Sequence, residues 1–170
     1  MVADNTFCSP VLQRPIAFGA DAVVQSSTKY LNGHSDVIGG VVCSATSEMA
    51  EQMAWWANCL GVTGGAFDSY LTLRGLRTLG VRMAAHQENA AAVVAALSGH
   101  AAVERVLYPG LPTHPGHELA SRQMDGFGAI VSLEVAGGEA GVAAFVEGLK
   151  HFSLAESLGG VESLVCHPGS

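Results

Sequence analysis

The residues best suited to chemistry stand in one short run, Ser26-Ser-Thr-Lys-Tyr-Leu-Asn-Gly-His-Ser-Asp36. Three hydroxyls precede a lysine, and an Asn-Gly pair follows closely. Hydroxyls grouped where a strand turns into a loop suit phosphate binding through neutral donors, with no basic patch required. An amine held there among apolar strands is desolvated, which lowers its pKa and makes Lys29 a usable nucleophile. The plainer alternative is a surface lysine beside a Ser-rich turn, because one lysine after Ser-Thr is a weak signal alone. A carboxylate, Asp4, lies 25 residues upstream (29 − 4) in Asp4-Asn-Thr-Phe7. Two adjacent strands with that separation can end near each other, one carrying the acid and the other the amine. The alternative for Asp4 is a frayed terminal residue. A carboxylate buried opposite a lysine that bonds a phosphate-bearing aldehyde is what pyridoxal chemistry requires: the acid keeps the pyridine nitrogen protonated and the ring electron-withdrawing.

These groups need rigid elements to hold them. Asp21-Ala-Val-Val-Gln25 and Asp36-Val-Ile-Gly-Gly-Val-Val-Cys43 read as short strands, apolar enough to be covered on both faces in a parallel or mixed sheet. Ser44 to Ser47 forms a cap cluster, and Glu48 and Glu51 open a helix through Trp55 and Trp56. The glycines of Gly61-Val-Thr-Gly-Gly65 break it, with Gly64 and Gly65 supplying backbone freedom. Apolar positions 70, 73, 76 and 79 then recur at helical spacing, and an Ala/Val-rich stretch continues to Leu97. One long helix, kinked near Gly80, is expected, able to link two domains. Downstream, Val103–Tyr108, His117–Met124, Gly128–Val135, Glu139–Leu149 and Phe152–Ala155 read as a β-α-β-α-β module. Trp55 and Trp56 are expected in packing or subunit contact. Arg74 and Arg77 are expected to pair with carboxylates or helix ends, and Glu134 to be solvated.

Composition excludes several classes. The 170 residues are 49% apolar and 14% charged, with a net charge of −7, so whole-chain disorder does not fit. No Lys/Arg run exists to gather nucleic-acid phosphates. No apolar stretch approaches the ~20 residues of a membrane span, and Met1-Val-Ala-Asp4 has no signal-peptide character. Cys8, Cys43, Cys59 and Cys166 are scattered and read as ordinary thiols of a reducing cytoplasm. His114 and His117 sit in a Pro/Gly loop without a third ligand, so no metal site is expected.

Taken together, Asp4-Asn-Thr-Phe and Ser26-Ser-Thr-Lys-Tyr-Leu-Asn-Gly-His-Ser-Asp resemble the lysine signature of the Cys/Met-metabolism family of pyridoxal-phosphate enzymes. The likeness extends through Gly61–Leu79, Gly126-Phe-Gly-Ala129 and Leu154–Leu164, and so over nearly the whole chain. Ala54-Trp-Trp-Ala-Asn58 with the following Gly-Val-Thr-Gly-Gly looks most like the bacterial γ-synthase branch. The resemblance implies an α/β fold of the aspartate-aminotransferase type (fold type I), in two parts. Residues 1–85 would be the C-terminal half of the cofactor-binding major domain, and 86–170 the beginning of a smaller α+β domain. It implies pyridoxal 5'-phosphate as cofactor, with Lys29 bonded to it, Asp4 at the pyridinium nitrogen, Ser26 and Thr28 on the phosphate, and Ser157 near the substrate carboxylate and the lysine amine. Ser157 as a strand-end cap is the alternative.

The implied reaction is γ-replacement, joining O-succinyl- or O-acetylhomoserine to cysteine to give cystathionine, with Lys29 moving the protons at Cα and Cβ. γ-Lyase or homoserine-ester sulfhydrylase activity is the alternative within the family. A cytoplasmic homotetramer of methionine biosynthesis and trans-sulfuration is implied, without nucleic-acid or membrane partners. Family members are considerably longer. A glycine loop for the phosphate, a tyrosine that stacks on the ring and an arginine for the substrate carboxylate have no match in these 170 residues. The isolated chain is therefore expected to fold poorly and bind cofactor weakly. The non-enzyme alternative is a truncated, inactive fragment or assembly partner, and a third is an incomplete sequence.

Overall fold

Ala22-Val-Val-Gln-Ser26 forms the central strand of a three-stranded sheet in the computed structural model, which describes residues 1–168. The chain divides into two units, Met1–Gly80 and the stretch from Val81 onward. In the first, β1 (Val2–Asp4) runs parallel to β2 (Ala22–Ser26), with Asp4 opposite Val24. β3 (Gly40–Ser44) pairs antiparallel on the other side of β2. Ala22, Val23 and Gln25 are buried, as expected for a strand covered on both faces. β3 departs from that expectation: it has a partner on one side only, and Val41 and Val42 remain exposed.

The β1–β2 crossover is built from two single turns, α1 (Ser9–Leu12), with a proline in its first turn, and a 3₁₀ turn (Pro15–Phe18) stopped by Gly19 at φ 91°. The Asn5 amide donates to the carbonyls of Ser9 (3.1 Å) and Gln13 (2.8 Å), fastening this crossover to the end of β1.

α2 (Ser47–Leu60) begins at Thr46, whose hydroxyl accepts from the Met49 N–H at 3.3 Å, and ends at Gly61, left-handed at φ 69°. Gly61, rather than Gly64 or Gly65, therefore meets the backbone demand at this break. Trp55 and Trp56 meet edge to face at 4.7 Å and are more than half exposed, so they form no core within this unit.

The single long helix expected from periodicity is two helices, α3 (Ala66–Leu76) and α4 (Leu79–Leu97). The break falls at Arg77-Thr78, not at Gly80. Both the N–H and the hydroxyl of Thr78 donate to the Gly75 carbonyl, each at 3.1 Å, drawing the chain into a tighter turn. Of the apolar positions at helical spacing, Tyr70 and Leu73 are over half exposed, and only Leu79 is buried.

In the second unit β4 (Val103–Leu107) pairs antiparallel with β5 (Ser132–Val135), with α5 (His117–Gln123) between them in sequence. α6 (Gly138–Glu147) leads to β6 (Phe152–Leu154), which pairs parallel with β7 (Ser163–Val165). The expected β-α-β-α-β order is present, but as two two-stranded sheets with a further strand, β7, that gives no alternation signal in three residues. Ala90 and Val94, one turn apart on α4, pack with Tyr108, Val106, Phe127 and Val131. The Tyr108 hydroxyl donates to the Gly128 carbonyl at 2.9 Å inside this core. Glu134 is exposed but not simply solvated: it pairs with Arg105 directly across the β4–β5 ladder. Among the described residues no helix is long and apolar enough to cross a membrane.

Candidate active site

Parallel strands of an open sheet present their carboxyl ends along one edge, where ligands of α/β folds bind. Asp4 closes β1 and Ser26 closes β2 at that edge, where Asp4 is exposed rather than buried as expected. Thr28 and Lys29 follow at once in a helical turn, Ser27–Leu31. Four of the five candidate residues, Asp4, Ser26, Thr28 and Lys29, thus share one end of one sheet. Lys29 departs from helical geometry inside the turn, with φ −94° and ψ −128°, and is half-buried. The Thr28 hydroxyl accepts from the Gly39 N–H at 3.0 Å and lies 3.4 Å from the Gly39 carbonyl oxygen.

Thr6 joins the two strand ends, and sequence reasoning assigned it no part. Its hydroxyl accepts from the Ser26 N–H at 2.8 Å and its own N–H donates to Asp4 Oδ1 at 2.9 Å. The Thr6 hydroxyl first, and its backbone N–H second, hold the Asp4 carboxyl below its ordinary value. Asp4 therefore stays anionic across the physiological range. The signal for Thr6 was its place two residues after the acid, where a short hydroxyl side chain returns to the preceding carboxylate.

Beyond Lys29 the turn is clasped. The buried Asn32 amide donates to Asp36 Oδ1 at 2.6 Å, the Asn32 N–H donates to Ser27 O at 3.1 Å, and Gly33 N–H donates to Lys29 O at 2.8 Å. His34 Nδ1 lies 2.7 Å from the Asn32 carbonyl oxygen.

Ser157 lies in the second unit, in the loop after β6. It is exposed on the rim of a cleft of about 300 Å³ lined by Val131, Leu133, Val142, Phe145 and Leu164. Among the described residues no group of three His, Cys, Asp or Glu side chains could hold a metal ion. His117 Nδ1 instead faces the Pro109 carbonyl oxygen at 2.7 Å, and its ring stacks on Phe127. The four cysteines are free thiols; burial pushes the half-buried Cys8 up.

The family model for Cys/Met metabolism PLP-dependent enzymes matches residues 1–170. The cystathionine γ-synthase of Escherichia coli (strain K12) is 57% identical over 166 residues, 98% of this chain and 43% of that protein. A cystathionine γ-lyase of Dictyostelium discoideum is 50% identical over 165 residues, covering 97% and 43%. The crystal structure of cystathionine γ-synthase from Xanthomonas oryzae pv. oryzae, in complex with aminoacrylate and cysteine, superposes with a TM-score of 0.97. It is 62% identical, over 99% of this chain and 44% of that one. The chain thus spans under half the length of these relatives. Its α/β architecture is that of PLP-dependent enzymes, as the resemblance implied. The donors present fit the cofactor in kind: a carboxylate held anionic, a half-buried amine and hydroxyls at one sheet edge. Sequence, fold and donor set agree, and this chain belongs to the Cys/Met metabolism family of PLP-dependent enzymes.

Proposed function

We propose that this chain supplies the lysine-bearing half of a pyridoxal-phosphate site for γ-replacement on an activated homoserine ester. The observation that carries this reading is the convergence of Asp4, Ser26, Thr28 and Lys29 at the carboxyl ends of two parallel strands. When bound, pyridoxal phosphate supplies an electron sink for the carbanion at the substrate α-carbon. Asp4, kept anionic by Thr6, holds a proton at the pyridine nitrogen. The Ser26 and Thr28 hydroxyls would hold the phosphate, with Thr28 Oγ1 fixed in place by the Gly39 N–H it accepts and the Gly39 carbonyl oxygen it faces. Lys29 Nζ would hold the cofactor and move protons at the substrate Cα and Cβ. Ser157 orients the substrate carboxylate.

The substrates under this reading are O-succinyl- or O-acetylhomoserine and cysteine, and the product is cystathionine. The 50% identity to a cystathionine γ-lyase supports a second reading, elimination from the same scaffold. Residues 1–85 belong to the cofactor domain and 86–170 to the smaller α+β domain. The exposed aromatic faces of α2 and α3, with Trp55, Trp56, Phe67 and Tyr70, support assembly into a homo-oligomer. Four unpaired thiols support a cytoplasmic location.

The test is borohydride reduction after adding pyridoxal phosphate, followed by peptide mapping. The chain has two lysines, Lys29 and Lys150, and mapping separates both from the terminal α-amine. Label on Lys29, abolished in Lys29→Ala, is expected. Label on Lys150 alone, or none, refutes the assignment. Cystathionine formation from the homoserine ester and cysteine, against keto-acid release, separates replacement from elimination.

A further inference from the structure

We infer that Gly75 is a positioning residue for Lys29, acting through the carbonyls of Leu31 and Asn32. This rests on the reading of Lys29 as the reactive amine. Gly75 is the only buried residue of α3 and has ordinary helical geometry, so no backbone requirement calls for glycine. What calls for it is proximity. A Cβ at position 75 would stand 2.2 Å from the Asn32 carbonyl oxygen and 2.8 Å from that of Leu31, where ordinary contact begins at 3.4 Å. The helix backbone itself is therefore the surface on which the end of the Lys29 turn rests.

That end of the turn has little freedom to retreat. The Asn32 N–H is bonded to Ser27 O and the Asn32 side chain to Asp36, while the Asn32 carbonyl oxygen is shared with His34 Nδ1. On the other side, Thr78 closes α3 by donating twice to the Gly75 carbonyl. Gly75 is thus held from one side by the α3–α4 break and touches the Lys29 turn on the other. Two features that look unrelated in the sequence, Arg74-Gly-Leu76 and Lys29-Tyr-Leu-Asn32, form one support. Adding a methyl group at 75 requires a displacement of about 1.2 Å (3.4 − 2.2) to restore ordinary contact. Displacement of a reacting group by ~1 Å lowers rates on the order of 100-fold.

Gly75→Ala in the protein as expressed is compared with Gly80→Ala, whose Cβ meets nothing within 4 Å. The readouts are the rate of Lys29 labelling by an amine reagent, with Lys150 as internal reference, and the rate of pyridoxal-phosphate capture on Lys29. Gly75→Ala is expected to change the Lys29 to Lys150 labelling ratio and slow capture by roughly 100-fold, with Gly80→Ala matching the parent. A folded Gly75→Ala with both rates unchanged overturns the inference. If Gly75→Ala does not fold, the exposed clasp decides: Asp36→Ala is expected to slow capture and Asp36→Asn, which keeps an acceptor for Asn32, to restore it. An unaltered Asp36→Ala overturns the inference. Absence of capture in the parent refutes the anchoring role of Lys29 itself, while the labelling ratio still reports whether Gly75 positions its side chain.

Discussion

Thr6→Val tests the joint between the two strand ends. Valine keeps the branched shape and removes one oxygen, which serves both Ser26 and Asp4. The Ser26 N–H, 2.8 Å from that oxygen and partly buried, loses its acceptor. An orphaned donor of this kind costs ~1–3 kcal/mol. At ~2–4 °C per kcal/mol for a chain of this size, the melting temperature falls by roughly 2–12 °C. Asp4 adds a pH signature. Its folded pKa is lowered, so its contribution is present above the unfolded value of ~3.9 and is lost as pH falls through the folded value. Removing the larger of the two Thr6 bonds raises the Asp4 pKa toward that ordinary value. The deficit of Thr6→Val is therefore largest at neutral pH and shrinks below ~4. Denaturant unfolding at pH 7 and pH 3, with a carboxyl NMR titration of Asp4, measures both parts. Thr6→Ser, which keeps the hydroxyl, is expected to titrate like the parent. A Thr6→Val chain as stable as the parent, with Asp4 titrating unchanged, refutes the idea that one hydroxyl joins β1 to β2.

Two further outcomes follow from the second unit. Tyr108→Phe leaves the buried Gly128 carbonyl without its 2.9 Å donor and is expected to lose ~1–3 kcal/mol in urea unfolding, with little change in m-value. Burial first, and the nearby Arg82 charge second, hold His86 below its ordinary value. Its stabilisation is complete above the unfolded value of ~6.5 and is lost as pH falls through the lower folded value. Imidazole NMR should show the depressed pKa, and His86→Gln should remove that part of the acid sensitivity.

The legible parts of the molecule were those with local causes. Thr46, Glu48 and Gly61 mark the ends of α2 because caps and left-handed turns are chosen by single residues. Asp4 and the Ser26–Lys29 run could be placed on strand ends because alternation and turn chemistry are also short-range. Where tertiary contact decides, the sequence was silent or misleading. Periodicity across 70–79 runs through the Arg77-Thr78 break, since nothing in apolar spacing reveals that Thr78 bonds back to Gly75. Nor does the same periodicity reveal burial: Tyr70 and Leu73 are exposed while Leu79 is buried. β7 has too few residues for a period, and its partner is set by pairing with β6. Gly75 resembles any helical glycine until Asn32 is seen against it. Thr6 and Asn32 lie within recognisable motifs, but their partners are set by tertiary contact.

The β1–β2 crossover has a bearing on how the molecule is made. Val2 meets Ala22, so the pairing that brings Asp4 beside the Lys29 turn closes a loop of about 20 residues. The closure entropy of such a loop is only ~2.7 kcal/mol by the logarithmic length rule. Short sequence separation favours fast formation, and the third strand ends at Ser44. The second unit, from Val81 onward, follows all three strands in the chain, and synthesis adds ~5–20 residues per second. The carboxylate and the amine can therefore be neighbours on the ribosome before the second unit exists, so a defect in this short segment would reach every later step of assembly.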